Sequence, residues 1–92
     1  MISIIFQNLI LKLGDIIMNV KSKKIGKNIY FDNFVVVKED DNFFGVYERL
    51  SRWEKNYNKE NILTSGTTLE KACKKAKLLQ IGYDIARYNL VD

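Results

Sequence analysis

Between positions 49 and 59, cations and aromatic rings alternate: Arg49, Arg52, Lys55 and Lys59 with Trp53 and Tyr57. Rings of this kind can stack on nucleobases while the cations hold phosphates, which would make a nucleic-acid surface. Trp, Tyr and Arg are also the residue types enriched at the hot spots of protein interfaces. A third account is purely structural, with Trp53 tucked into the core beside a sheet. These six residues are the candidate partner-binding set.

Other groups with chemical potential are sparser. Asp32, Glu48 and Glu60 could carry magnesium in a nuclease, but no spacing sets two of them on one strand face. Cys73 stands beside Lys74 and Lys75, cations that favour a thiolate. It also falls on an apolar helical stripe with no base at hand, so a packed small residue is the better account. Ser65-Gly66-Thr67-Thr68 precedes a helix, whose free N–H groups can take an anion; an ordinary cap explains the same residues. The acidic turn Glu39-Asp40-Asp41-Asn42 lacks the spacing of a calcium loop.

Composition narrows the classes further. The chain has no histidine, so the commonest general base and every His-dependent triad are missing. A single cysteine rules out an internal disulfide and a cysteine zinc site, and fits a reducing, cytoplasmic setting. No catalytic, cofactor-binding or metal residue is assigned, and the protein reads as non-enzymatic. With 92 residues, 47% of them hydrophobic, one modest core is expected. A net charge of +4 is a mild basic bias that suits an anionic partner.

The elements that must position the candidate residues are read from periodicity. Phe34-Val35-Val36-Val37 and Phe43-Phe44-Gly45-Val46-Tyr47, joined by the acidic turn, predict an antiparallel hairpin. Ile29-Tyr30-Phe31 belongs to the same β-rich stretch. Ile62-Leu63-Thr64 predicts a third, short strand, and Leu50–Asn61 an irregular loop. Lys21–Lys27 reads as a basic connector, with a phosphate-contacting arm as the alternative.

From Thr68 to Tyr88 the spacing predicts the one long helix. Thr67 and Glu70 are placed for a capping box. Leu69, Ala72, Cys73, Ala76, Leu79, Tyr83, Ala86 and Leu90 form its apolar stripe, with Lys71, Lys74, Lys75 and Lys77 toward water. Gly82 is a place where it could kink or end. A second row, Leu78, Ile81, Ile85 and Tyr88, widens the apolar arc beyond what one sheet face can cover. These four are the expected homodimer contact, or the seat of the N-terminal segment.

Residues 1–20 form an amphipathic segment, with Ile2, Ile5, Phe6, Leu9, Leu13, Ile16 and Val20 on one helical face. Neither a signal peptide nor a membrane span fits it. Leu13-Gly14-Asp15 ahead of Met18 can be encoded by a ribosome-binding sequence. Translation from Met18 is therefore one expectation, with residues 1–17 a leader; a helix covering the later half of the main helix is the other. Residues 21–92 make the single domain.

The order hairpin, strand, turn, helix resembles the HicB-like antitoxin domain, a partial RNase H-like fold. The resemblance is carried by Phe34–Tyr47, by Thr64-Ser65-Gly66-Thr67-Thr68-Leu69-Glu70-Lys71-Ala72, and by Lys75-Ala76, about half the chain. It implies a small sheet covered by a helix that binds a protein partner. The family's Pro-Asp-Leu-Pro-Gly-like stretch is replaced here by the basic aromatic loop.

Together these readings predict an α+β domain, a three-stranded antiparallel sheet with one long C-terminal helix on it, that works by binding. Its size, single domain and Lys/Asn/Ile-rich composition look like those of phage and mobile-element proteins. The leading expectation is an inhibitor of a host nucleic-acid-handling defence complex, of the anti-CRISPR type. A HicB-like antitoxin bound to a small toxin and a basic RNA- or DNA-binding protein are the alternatives.

Overall fold

The computed structural model describes residues 20–91, with side chains through Arg87. Five strands and a helix follow one another: β1 (Lys23–Ile25), β2 (Asn28–Tyr30), β3 (Phe34–Asp40), β4 (Phe43–Arg49), β5 (Tyr57–Gly66) and α1 (Leu69–Val91). The strands form one antiparallel meander in the order β1-β2-β3-β4-β5. The α+β class, the central hairpin and the covering helix agree with the sequence reading. The strand number does not: the sheet has five strands, not three.

Of the two extra strands, β1 comes from the stretch that read as a basic connector and β2 from the β-rich Ile29-Tyr30-Phe31, while the expected third strand, Ile62-Leu63-Thr64, is the end of a longer β5. Within the basic stretch, Lys23–Ile25 pairs with Asn28–Tyr30 around the two-residue turn Gly26-Lys27, with Gly26 at a φ of 62°. A glycine first in such a turn is the usual chemistry of tight hairpins. The expected loop over 50–61 shrinks to residues 50–56, because β5 begins at Tyr57 and runs ten residues. Its first half is polar and exposed, as an edge strand with one neighbour allows.

α1 packs across β3, β4 and β5. Ala72 and Ala76 are fully buried against Phe34, Val36, Phe44 and Val46, with Leu69, Cys73 and Leu79 at the margin. Small residues let the helix axis come close, and Gly66 extends that approach to the strand end. A Cβ on Gly66 would lie 2.7 Å from the Ala72 backbone nitrogen. The cap is one residue later than the expected box: Thr68 Oγ1 accepts the Lys71 N–H at 3.2 Å. The four lysines of the first turns are exposed, as expected. The helix continues through Gly82 to Val91, so it does not end early there. Tyr83 is 39% exposed, its ring meeting the edge of Phe34 with centroids 6.2 Å apart.

Gln80 was not expected in the core. It is 2% exposed and follows Ala72 and Ala76 at four-residue steps. Its Oε1 accepts the Asn33 N–H and its Nε2 donates to Asn33 Oδ1, both at 2.8 Å, with a further bond from Nε2 to Asp84. The helix thereby holds the β2–β3 corner, and no buried side-chain polar atom is left without a partner among the described residues.

The expected N-terminal amphipathic segment and the Met1 or Met18 start lie outside the described residues, apart from Val20, which packs against the helix-side core. No described helix is long and apolar enough to cross a membrane.

Candidate binding surface at the Trp53 loop

Away from the helix, the sheet presents a face that no other element covers among the described residues. Tyr30, Val35, Val37 and Tyr47 are buried there, with Ile25 and Tyr57 packed at the rim. Tyr47 and Tyr57 tilt against each other at 5.1 Å. Tyr47 donates its hydroxyl to Glu39 Oε1 at 2.6 Å, and Glu39 is the extra residue of a bulge between Lys38 and Asp40. That bond, with burial and the Glu39 charge, pushes the Tyr47 phenol from its ordinary value of 10.0 up to about 12. Burial, then the Glu39 charge, also raises Tyr57.

At one end of this face β4 passes into the loop over 50–56. Ser51 builds its turn, its Oγ accepting the Trp53 N–H at 3.2 Å and its carbonyl the Glu54 N–H at 3.2 Å. Arg49 anchors it. The guanidinium donates to the carbonyls of Phe31 at 2.6 Å, Arg52 at 3.1 Å and Glu54 at 2.5 Å, with a longer bond to Asp32 O. It also lies 5.2 Å from the Tyr30 ring. Every one of these acceptors is a neutral main-chain oxygen. Arg49 is therefore fixed in place, and among the described residues no carboxylate lies within ion-pair distance of it.

The structure places the six candidate residues differently. Trp53 is 85% exposed, which overturns the account that buries it in the core. Arg52 lies 5.3 Å from its ring and meets Asp32 at 3.3 Å in an exposed ion pair. Lys55 is exposed at the loop tip. Tyr57 and Lys59 belong to β5, not to the loop, with the Lys59 ammonium 5.7 Å from the Tyr57 ring. Arg49 differs from the rest, since its N–H groups are already spent on the loop. Leu50, 66% exposed where β4 passes into the loop, was not among the expected contacts.

Lys21, Ser22 and Lys23 approach the loop from the start of β1 and the two residues before it, an adjacency no sequence pattern announced. With Tyr30, Asp32, Arg49 and Arg52 they line an open cleft of about 270 Å³. Four cationic side chains face one carboxylate in it. The basic stretch, for which a phosphate-contacting arm was the alternative to a connector, thus stands beside the aromatic loop.

The remaining candidates lie elsewhere. Leu78 is 67% exposed, while Ile81 and Ile85 are half-buried along α1; the Tyr88 side chain is outside the described residues. Burial raises the Cys73 thiol, in keeping with a packed residue and against an activated one. No three metal-ligating side chains gather among the described residues. Comparison with protein-family models, curated proteins and solved structures yields no match, so the reading of function stands on this geometry alone.

Proposed function

We propose that the protein is a non-catalytic binding protein that holds single-stranded nucleic acid at the Trp53 end of its sheet. The observation that supports this is an 85%-exposed tryptophan on an anchored loop, flanked by cations. A large apolar ring kept in water on a fixed mount is a stacking platform ready for use. Arg52, Lys55 and Lys59 supply the charge that a backbone of phosphates meets, and Tyr57 lies beside them on the sheet.

Trp53 is the only tryptophan in the chain, so its fluorescence reports the contact directly. Titration with oligothymidylate or oligouridylate at low salt should quench it, and added salt should reverse the quench steeply. Trp53→Ala, which removes an exposed side chain and should shift stability by no more than about 0.5 kcal/mol, should abolish capture of a labelled strand. Unchanged fluorescence at low salt defeats the reading.

A second reading is favoured by Leu50, whose exposure in the same loop as Trp53 gives that loop more apolar surface than strand binding needs. Here the tip docks on a protein, as an inhibitor of a host nucleic-acid-handling complex of the anti-CRISPR type would. Affinity capture from the native host separates the cases. A large ribonucleoprotein lost on Trp53→Ala and Leu50→Ser supports inhibition, whereas a small toxin supports the HicB-like antitoxin. Under either reading, Leu78, Ile81, Ile85 and Tyr88 are proposed to pair two copies, and sedimentation giving the monomer mass would remove that part.

A further inference from the structure

The geometry points to the cleft between β1 and the Trp53 loop as a phosphate site, one that takes a phosphate group of the strand whose base stacks on Trp53. It rests on the nucleic-acid reading and goes beyond it by assigning the phosphate to Lys21, Ser22, Lys23 and Arg52, residues from two ends of the sheet.

Charge is the first argument. Lys21, Lys23, Arg49 and Arg52 face Asp32 alone. Arg49 cannot turn away or be neutralised, because carbonyl oxygens of the corner and the loop hold all of its hydrogen bonds. It contributes a fixed positive field with no donors to spare. The donors for an anion come instead from the two lysines, the Ser22 hydroxyl and Arg52. A phosphate, with several acceptor oxygens and one or two charges, uses such a set more fully than a carboxylate does.

The cost of entry is low. Arg52 must exchange Asp32 for the ligand, and both side chains of that pair are about half exposed. Exposed pairs of this kind contribute little. Asp32 is then the one group in the cleft that repels the ligand. Arg52 also stacks near Trp53, so the residue that meets the phosphate adjoins the ring that meets the base.

The test uses the full chain and two kinds of probe. Inorganic phosphate, followed by amide NMR shifts, should perturb residues 21–23, 30–32 and 52. Hexathymidylate carrying a 5′-phosphate and the same strand with a 5′-hydroxyl distinguish a terminal from a backbone phosphate: preference for the former identifies an end, equal binding a diester. Lys21→Gln with Lys23→Gln should lower the salt slope of hexathymidylate binding by about 0.7, one single-strand phosphate contact. Asp32→Asn should tighten binding several-fold. Lys24→Gln with Lys27→Gln, which removes the same charge from the same hairpin outside the cleft, is the control. If that control weakens binding as much as the cleft pair does, or Asp32→Asn leaves it unchanged, the site is overturned although the nucleic-acid reading survives through Trp53. If phosphate perturbs the cleft but no strand quenches Trp53, the cleft binds a phosphate anion alone, and its assignment to a strand phosphate falls with the nucleic-acid reading.

Discussion

On its helix-covered side the sheet buries Phe34, Val36, Phe44 and Val46 under Ala72 and Ala76. On the opposite side Val35 is just as dry, with Tyr30, Tyr47 and Tyr57 in place of a second layer. One face is sealed by another element, the other by its own aromatic side chains lying along it. The space for this is made locally. A Cβ on Gly45 would come within 2.8 Å of the Tyr47 ring, so the ring occupies room that any side chain at 45 would take. The covered face is thus specified by backbone approach. The bare face is specified by where rings lie, which leaves their edges and the neighbouring loop open to a partner.

That contrast can be broken in graded steps. Phe34→Ala empties a site pressed between sheet and helix and should cost about 3–5 kcal/mol in urea unfolding. A much smaller loss would mean that α1 seals the face only loosely. Next comes a matched pair. Gly66→Ala sets a methyl group against the Ala72 backbone, which cannot swing aside, and should fall at the upper end of about 1–3 kcal/mol for overpacking. Gly45→Ala meets a side-chain ring that can shift, and should fall at the lower end of about 1–3 kcal/mol. Equal losses would erase the distinction between the faces.

The smallest effect is pH-dependent. Tyr47→Phe removes the bond to Glu39 and should cost about 0.5–1.5 kcal/mol at neutral pH. Folding raises the phenol from 10.0 to about 12, so the folded state favours the protonated form. This contribution is whole below pH 10 and is lost as pH rises through about 12. Wild type and Tyr47→Phe should therefore converge across that window, and a gap that stays constant would show that the hydroxyl carries none of it.

What could be read in advance follows the same division. The central hairpin was legible because Phe34–Val37 and Phe43–Tyr47 are apolar enough to be buried on both sides of the sheet, and α1 because small and large apolar residues recur at helical steps. β1 and the first half of β5 were not, since Lys23-Lys24 and Asn58-Lys59-Glu60-Asn61 carry no apolar alternation; they are held by neighbouring strands and turns, not by burial. The cap moved from Thr67 to Thr68, since two adjacent threonines can both serve and the sequence does not choose between them. Gln80 looked polar and therefore outward, although its place in the Ala72–Ala76 series was a signal. At the site, the aromatic-basic loop was visible as composition. The adjacency of Lys21 and Lys23 was not, because it depends on a hairpin that the sequence disguised as a linker.

Arg49 grips the loop solely by main-chain oxygens, and every residue type carries one of those. The identities of Arg52, Trp53, Glu54 and Lys55 are therefore not what holds the loop in shape. Substitutions there can change the surface the tip presents while the mount stays put, which makes residues 52–55 an interchangeable head on a constant handle. Lysine in place of Arg49 would not preserve this, because its donors radiate from one nitrogen and cannot span carbonyls of the corner and of both sides of the loop.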